Sequence, residues 1–583
     1  MARSSVRSSA AAEAWSHEPA GVAALNWLID ACALITGAGV DLRMLRSRPM
    51  RAALAQAGPA HTADGRPVRP ADVLLVDAAL WVLHQHGLVD FDFARPGQPV
   101  RQHRVLRDLI VAGLGEEPRI ATQLRAALGA DLLGMADGPA PPDSETLTRR
   151  GRQIEALRLW EDTRPSVQQA LLSHLADLVR TQEEEALKEC LRVGRLALRS
   201  WTEHDSLEHR RLRALLSDAQ HLRGAYGESA ALALGVLREY RGNLGLTHPR
   251  SLQMADSYAA NLGSAGHVAD ALDEALHVAR GMARLLGPRH AGTERVHRNL
   301  AWCYAAAGDY PEGMRLYRQI YEQRRAIGGD DDPAVRDMVP WLAEMHRLLG
   351  QDAESYQLLK HGWTPRSTAR PAVNRVPITI VAENGLAVSE RRLGDPDRAW
   401  ERDTRALDMA VSVLGEQHMI TQRCRFSLAI DHHLLGESEP AVEYAERCLH
   451  TLAGRYGPEH PSTHLCRMRL GVHLRGAGRT EEAREAGRTA RRGLETVLGA
   501  RHPWTLASSI ALAGTLVACE AEEEAVELEE SAQRGYDHLG LNRHPARAIA
   551  AGNLAMTRAG QRGAAGSGEL PRVRRDIDVE LFV

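Results

Sequence analysis

His460 and His464 are four residues apart. On a helix that spacing puts two imidazoles on one face, where they could hold a metal ion. But His460 belongs to a phrase, Tyr456-Gly457-Pro458-Glu459-His460-Pro461, that recurs along the chain where no second histidine follows. A packing role is therefore expected, with no metal or cofactor. His432 and His433 are adjacent and face different sides of a helix. His84 and His86 lie near the end of a helix, where a C-cap role suits them better than catalysis. No P-loop, HExxH, Ser/His/Asp order or paired-carboxylate motif stands out, so the chain reads as a non-enzyme. What remains is a set of Arg, Asn and Trp side chains at helical spacing: Arg295, Arg298, Asn299 and Trp302. Such groups can clamp a peptide backbone and its carboxylates. The same register holds Gln253 and Asp256 one unit earlier, Trp341 one unit later, and Arg423 and Arg469 further on. Together these are the candidate partner-binding residues.

The unit in question is a 42-residue period. Its closing phrase, Leu-Gly-x-x-His-Pro or a variant, puts a histidine at 248, 290, 418, 460, 502 and 544. Between His290 and His418 lie 128 residues, three periods plus two extra residues. A turn glycine recurs inside each period, at 224, 266, 308, 350, 394, 436 and 478, and Glu520 replaces it in the next unit. Eight residues before each turn comes a large residue followed by a small one, as in Leu300-Ala301 and Leu512-Ala513. Each period reads as helix A, a glycine turn, helix B, then a closer. Gly ends helix B with a left-handed residue, and Pro starts the next helix where its missing N–H costs nothing. One such hairpin cannot bury its apolar face alone, so the units must stack into a solenoid.

The phrases Asn299-Leu300-Ala301, Gly308-Asp309-Tyr310 and Asn553-Leu554-Ala555, with the closers, resemble tetratricopeptide repeats of the kinesin light chain type. HEAT and armadillo repeats have similar lengths, but they lack the fixed glycine turn and the closer. The resemblance implies an all-α, right-handed solenoid of about nine hairpins. Its concave groove would be lined by helix A and would bind a protein or peptide. Bacterial arrays of this kind serve signalling or peptide-modification systems, sometimes with an ATPase module.

Composition narrows the class. At 583 residues the chain is too long for one compact core. The net charge of −3 disfavours nucleic acid as the main partner. Seven scattered cysteines without a CxxC pair suit a reducing, cytoplasmic compartment. No run approaches the 18 apolar residues of a membrane span.

Before the repeats, residues 1–18 read as a flexible arm and 19–133 as a small domain. Helices are expected over Leu25 to Ile35, Leu42 to Ala55 and Ala71 to His86. Two short strands, Leu88 to Phe93 and Pro99 to His103, then flank a turn over Ala94 to Gln98. Helix Arg104 to Leu114 closes the block. Leu88 to Phe93 and Val100 to Leu106 resemble the winged-helix segment that follows the nucleotide-binding domain of STAND signalling ATPases. No GxxxxGK[ST] is present, so an ATPase module would have to come from another chain. The third helix carries Asp72 and Asp77 and no Lys or Arg, which argues against its use in a DNA groove. Residues 134–144 read as a linker, 145–560 as the solenoid, and 561–583 as a disordered tail. The primary expectation is a protein- or peptide-binding scaffold. The alternative is a transcriptional regulator with winged-helix DNA binding and a repeat sensor.

Overall fold

Pro249 can begin a helix but not continue one, and Gly245 just before it has φ +88° and ψ 167°. The closers at Gly287, Gly415, Gly457 and Gly499 repeat this geometry. The positive φ is the expected one. The ψ near 160° is not that of an ordinary left-handed cap, and it places these residues in a region that essentially only glycine can enter. The histidine between Gly and Pro is the N-cap of the next helix. At positions 248, 290, 418, 460, 502 and 544 its Nδ1 accepts from the backbone N–H two residues on, at 3.0–3.2 Å.

The structure, a computed structural model, describes residues 19–35, 40, 42–57, 73–91, 100–114, 119–134, 143–330, 332–363, 376–561 and 575–581. The N-terminal arm, the turn from Ala94 to Gln98, most of the 134–144 linker and the stretch 364–375 lie outside the described residues. So do tail residues 562–574 and 582–583. Two compact units divide the chain: residues to 216, less 182–184, form the first, and 217 onward with 182–184 form the second.

The first unit gathers Trp27, Leu28, Ala31, Leu80, Leu124 and Leu128 into its core. Trp27 Nε1 donates to Gln123 Oε1 at 2.8 Å, which satisfies the one polar atom of a buried indole. Among the described residues the expected strands shrink to two isolated antiparallel bridges, Asp90 with Arg101 and Val40 with Val100. Neighbouring residues of a strand hydrogen-bond to opposite sides, so Val100-Arg101 is a middle segment between two others. Asp77, on helix Val73–Gln85, forms a bidentate pair with Arg46 at 2.8 and 2.9 Å.

Eight helical hairpins and a single last helix form the solenoid among the described residues. Helices A and B of repeats 1 to 4 are Leu207–Leu222 with Tyr226–Leu244, Pro249–Ser264 with Val268–Leu286, Ala291–Ala306 with Tyr310–Gly328, and Val339–Leu348 with Asp352–Gly362. Repeats 5 to 8 are Val376–Arg392 with Pro396–Leu414, Met419–Leu434 with Ser438–Tyr456, Pro461–Gly476 with Thr480–Leu498, and Pro503–Ala518 with Glu522–His538. Pro545–Gln561 closes the array. Residues up to 216 of the first helix fall in the first unit. Helix A of repeat 4 is interrupted after Pro333–Arg336, because Pro340 has no N–H to return to residue 336. The large–small pairs do what their spacing implies. Leu470 joins Ala429, Val442, Ala445, Leu474 and Ala483 in one core cluster, and a side chain at Gly471 would press on the Ala483 carbonyl.

The capping histidines also act over long range. His460 Nε2 bonds the Ser264 carbonyl at 3.0 Å, His502 the Ala306 carbonyl at 2.9 Å and His544 the Leu348 carbonyl at 3.2 Å, each across 196 residues. His418 bonds the Leu222 backbone in the same way. Each later repeat therefore rests on the repeat five before it. Repeat 6 meets repeat 1, and the last helix meets repeat 4. One neutral imidazole serves both contacts, with Nδ1 accepting the cap and Nε2–H donating to the carbonyl.

Candidate functional site

The inner face of the solenoid is built from helices A. Three residues before each turn glycine, one position recurs as Arg347, Arg391, His433 and Arg475, and it becomes Ala305 and Val517 on either side. These side chains meet a seven-residue stretch of the chain's own C-terminus, 575–581, which has no helix or strand. Arg347 Nε donates to Glu580 Oε1 at 2.9 Å. Arg391 Nε donates to Asp578 Oδ2 at 2.7 Å, with Nη2 at 3.3 Å from Oδ1. His433 Nε2 lies 3.4 Å from Asp576 Oδ2, and Arg475 pairs with the same carboxylate. Residues 575–581 of the tail expected to be disordered are thus held along these side chains. They run antiparallel to the repeats, with every second residue an acid facing the next unit.

Other groups fix the backbone and the apolar side. Asn553 accepts from Arg575 N at 3.0 Å and donates to Arg575 O at 2.9 Å, so one amide satisfies both backbone groups. Arg469 Nη1 donates to Ile577 O at 2.5 Å, and Arg392 Nη2 to Asp578 O at 3.1 Å. Ile577 and Leu581 are buried, 3% and 1% exposed. A cavity of about 570 Å³ adjoins the segment, with Tyr310, Trp504 and Tyr536 in its wall.

The electrostatics explain why this segment binds here. Arg347, Arg391, Arg392, Arg423, Arg469 and Arg475 all face it. Glu344, Asp352, Asp403 and Asp431 are the wall's own carboxylates beside these arginines. Burial pushes Asp431 up to about 9, with Asp403 adding to the shift against the pull of Arg391, so Asp431 keeps its proton at neutral pH. Burial likewise raises Glu344 despite its pairing with Arg423. The wall is therefore strongly cationic, and the segment's three carboxylates offset the excess. Burial by itself would raise Asp578, but Arg391 and Arg392 more than reverse it and hold it below its ordinary range. Asp576 is lowered against burial by His433 and Arg475, and Glu580 by Arg347, Arg392 and Arg423. Burial brings Arg469 down to about 10, and its Nε is buried without a partner.

The residues singled out by helical register fall into three groups. Arg423 and Arg469 touch the segment: Arg423 bonds Glu580 Oε2 at 3.2 Å, Glu344 Oε1 at 2.5 Å and Asn384 Oδ1 at 2.7 Å. Asp256, Arg295, Arg298 and Asn299 come together in repeats 2 and 3. There Asn299 Nδ2 donates to Asp256 Oδ1 at 3.0 Å, Arg295 lies 3.4 Å from Oδ2, and Arg298 acts on the same carboxylate. Burial raises Asp256 in spite of them. The remaining three stand apart: Gln253 is exposed, Trp341 is half-buried, and Trp302 packs over Gly263. The Arg347–Arg391–His433–Arg475 ladder escaped the register argument, which followed positions further from the turn. Two patterns together would have revealed it: basic side chains spaced by one period, and Asp576-x-Asp578-x-Glu580 at the terminus.

The two histidines at metal-ligand spacing are otherwise engaged. His460 spends both ring nitrogens on backbone groups, and His464 meets Arg467 and Glu459. Among the described residues no group of three His, Cys, Asp or Glu side chains could hold a metal.

Residues 378–453, repeat 5 and most of repeat 6, match the tetratricopeptide repeat family. Residues 378–453 carry tetratricopeptide repeats. No curated protein sequence matches it. Among solved structures it is similar to the kinesin light chain TPR-like repeats of Podosopora anserina, with 20% identity, 36% of this chain and 98% of that one covered, and a TM-score of 0.30. It is similar to BtubC of P. vanneervenii, with 17% identity, coverage of 47% and 98%, and a TM-score of 0.30. It is also similar to the apo form of the quorum sensor NprR from B. thuringiensis, with 12% identity, coverage of 63% and 98%, and a TM-score of 0.40. No described helix is long and apolar enough to cross a membrane.

Proposed function

We propose that this chain is a non-enzymatic adaptor that binds an extended protein or peptide segment in the groove of its tetratricopeptide repeats. The observation that carries the reading is the seating of residues 575–581 against helices A, with an asparagine on the backbone and arginines on the carboxylates. Asn299 occupies the repeat position of Asn553, the first residue of Asn-Leu-Ala in each case, so a similar backbone clamp would form in repeat 3 where its amide turns from Asp256 to a partner's main chain. The predicted partner-binding residues belong to this reading: Arg423 and Arg469 in the occupied stretch, and Arg295, Arg298 and Asn299 beyond it. The test is partner capture from the native lysate, followed by titration of the purified partner. Arg295→Ala/Arg298→Ala/Asn299→Ala should weaken binding at least about tenfold, some 1.4 kcal/mol, with helical circular dichroism unchanged. Equal affinity would remove repeat 3 from the site.

The first unit supports a second reading, a winged-helix domain, on the three segments bridged through Val40, Val100-Arg101 and Asp90. Such a domain would dock an ATPase module from another chain or, in the regulator version, a DNA duplex. Helix Val73–Gln85 carries Asp77 and no Lys or Arg, which makes it a poor surface for phosphates. Duplex affinity that falls steeply between 50 and 200 mM salt would favour the regulator. Absence of binding at low salt would retire it.

A further inference from the structure

Three features shape what the occupied groove selects. The rungs Arg347, Arg391 and His433 advance one repeat for every two residues of the segment, Arg475 shares Asp576 with His433, and the ladder is bounded by the uncharged Ala305 and Val517. It therefore reads a short run of carboxylates at alternate positions. Most of the segment's other contacts are generic. Asn553, Arg469 and Arg392 bind main-chain atoms that any extended chain would offer. The wall also keeps part of its own neutralisation when the segment leaves: Arg423 retains Glu344, Arg391 retains Asp403, and Arg392 retains Asp352. Occupancy by residues 575–581 is thus favourable but not a condition for the repeats to stand.

We propose that the C-terminal segment is a displaceable occupant of the groove, and that the protein partner replacing it presents an extended stretch with an acidic side chain at every second residue. This rests on the groove reading above and adds the chemistry of the ligand and the competition with residues 575–581. The partner's stretch lies in the same direction, its carboxylates on Arg347, Arg391 and the His433–Arg475 pair. Its main chain is taken by Asn553 and Arg469. The ladder supplies selection by charge spacing, since a chain with acids at every third residue would face only one rung correctly. The segment's own three acids set the threshold a partner must exceed.

The experiment uses the full chain and a fluorescein-labelled synthetic peptide copying residues 575–583, read by anisotropy. The variant Asp576→Asn/Asp578→Asn/Glu580→Gln should bind the peptide at least about tenfold more tightly than wild type. A peptide with the same three acids neutralised should not bind. Adding Arg391→Gln to the variant should cost about tenfold again. Equal binding to wild type and variant, or none to either, overturns the proposal. Wild type alone gives a second reading that needs no folded variant. Hydrogen exchange at residues 577–581 should speed up as the peptide saturates the groove, and unchanged protection would make the segment a fixed strap. A wild-type dimer that the tail variant converts to monomer would overturn the proposal in favour of a second copy as occupant. If the peptide is refused while the captured partner still depends on Arg295, Arg298 and Asn299, the groove reading stands and only this proposal falls.

Discussion

Repeats 2 and 3 and repeats 4 to 7 present the same kinds of side chain on the same helices, yet among the described residues only the second stretch holds a chain segment. In repeat 3, Arg295 and Arg298 share one buried carboxylate, Asp256, which Asn299 also ties down. The Arg295 side chain keeps 42% of its surface exposed, so water meets the rest of its charge. In repeats 4 to 7, with the segment seated, Arg347, Arg391 and Arg423 are 2% exposed or less as side chains, and the six arginines facing it outnumber the four carboxylates of the wall. A buried cation without an anion is costly. That stretch therefore favours an acidic strand over water, whereas repeat 3 tolerates being open.

Acid is the widest way to break the comparison, because the histidine contacts tie both stretches together. Burial holds His418, His460, His502 and His544 down to about 4, against an ordinary value of 6.5. A depressed value means that the neutral ring stabilises the fold above pH 6.5, and the gain is lost as pH falls from 6.5 toward 4. At pH 5 each histidine should cost roughly 1–3 kcal/mol. Thermal melting should show the midpoint falling through this window. Asp576 and Asp578, also depressed, should hold the segment down to pH values below 3.8. A flat melting midpoint between pH 7 and 5 would mean the stacked turns do not depend on neutral histidines.

Arg391→Ala compared with Arg295→Ala sharpens the contrast directly. Arg391 faces Asp403, Asp431 and Asp578 from full burial, so its loss should cost roughly 3–5 kcal/mol. Arg295→Ala should cost less than about 1 kcal/mol. Urea melts and exchange mapping check both, and Arg391→Ala should open repeats 5 and 6 but leave helix Pro249–Ser264 protected. Similar costs would erase the distinction.

The turn glycines offer a smaller version of the same contrast. Gly308 has φ +83° and lies under Pro503 of the repeat five units on, whereas Gly478 has φ +78° and open space. Gly478→Ala should cost roughly 1–2 kcal/mol for the backbone alone. Gly308→Ala should cost more, because its methyl group must also displace the proline. The smallest effect is a gain. Glu520, the non-glycine at the equivalent turn, has φ +59°, so Glu520→Gly should stabilise by roughly 0.5–1 kcal/mol in a thermal melt.

Much of the solenoid was legible because its rules are local. The closers, the turn glycines and pairs such as Leu512-Ala513 act within one hairpin or between neighbours, and they recur in print every 42 residues. Arg423 and Arg469 could be placed on the inner face by register alone. The ladder from Arg347 to Arg475 was equally periodic, but its meaning depends on a partner at residues 576–580, which no periodicity points to. Among the described residues the wing-like strands come down to single bridges for the opposite reason: alternation at Leu88 to Phe93 signals an extended chain but not how many residues pair.

The sequence by itself determined the helical hairpin, its length, its caps and the order of stacking, since each rests on contacts between residues less than one or two periods apart. Only the tertiary structure decided that His460 reaches Ser264 and that Glu580 lies between Arg347 and Arg423. Those contacts depend on the pitch of the superhelix, a sum of small rotations at every repeat interface. No single spacing encodes such a sum, so a histidine expected to pack proves to be both a cap and a bolt between turns, and residues 575–581 of a tail that reads as disordered lie in the groove.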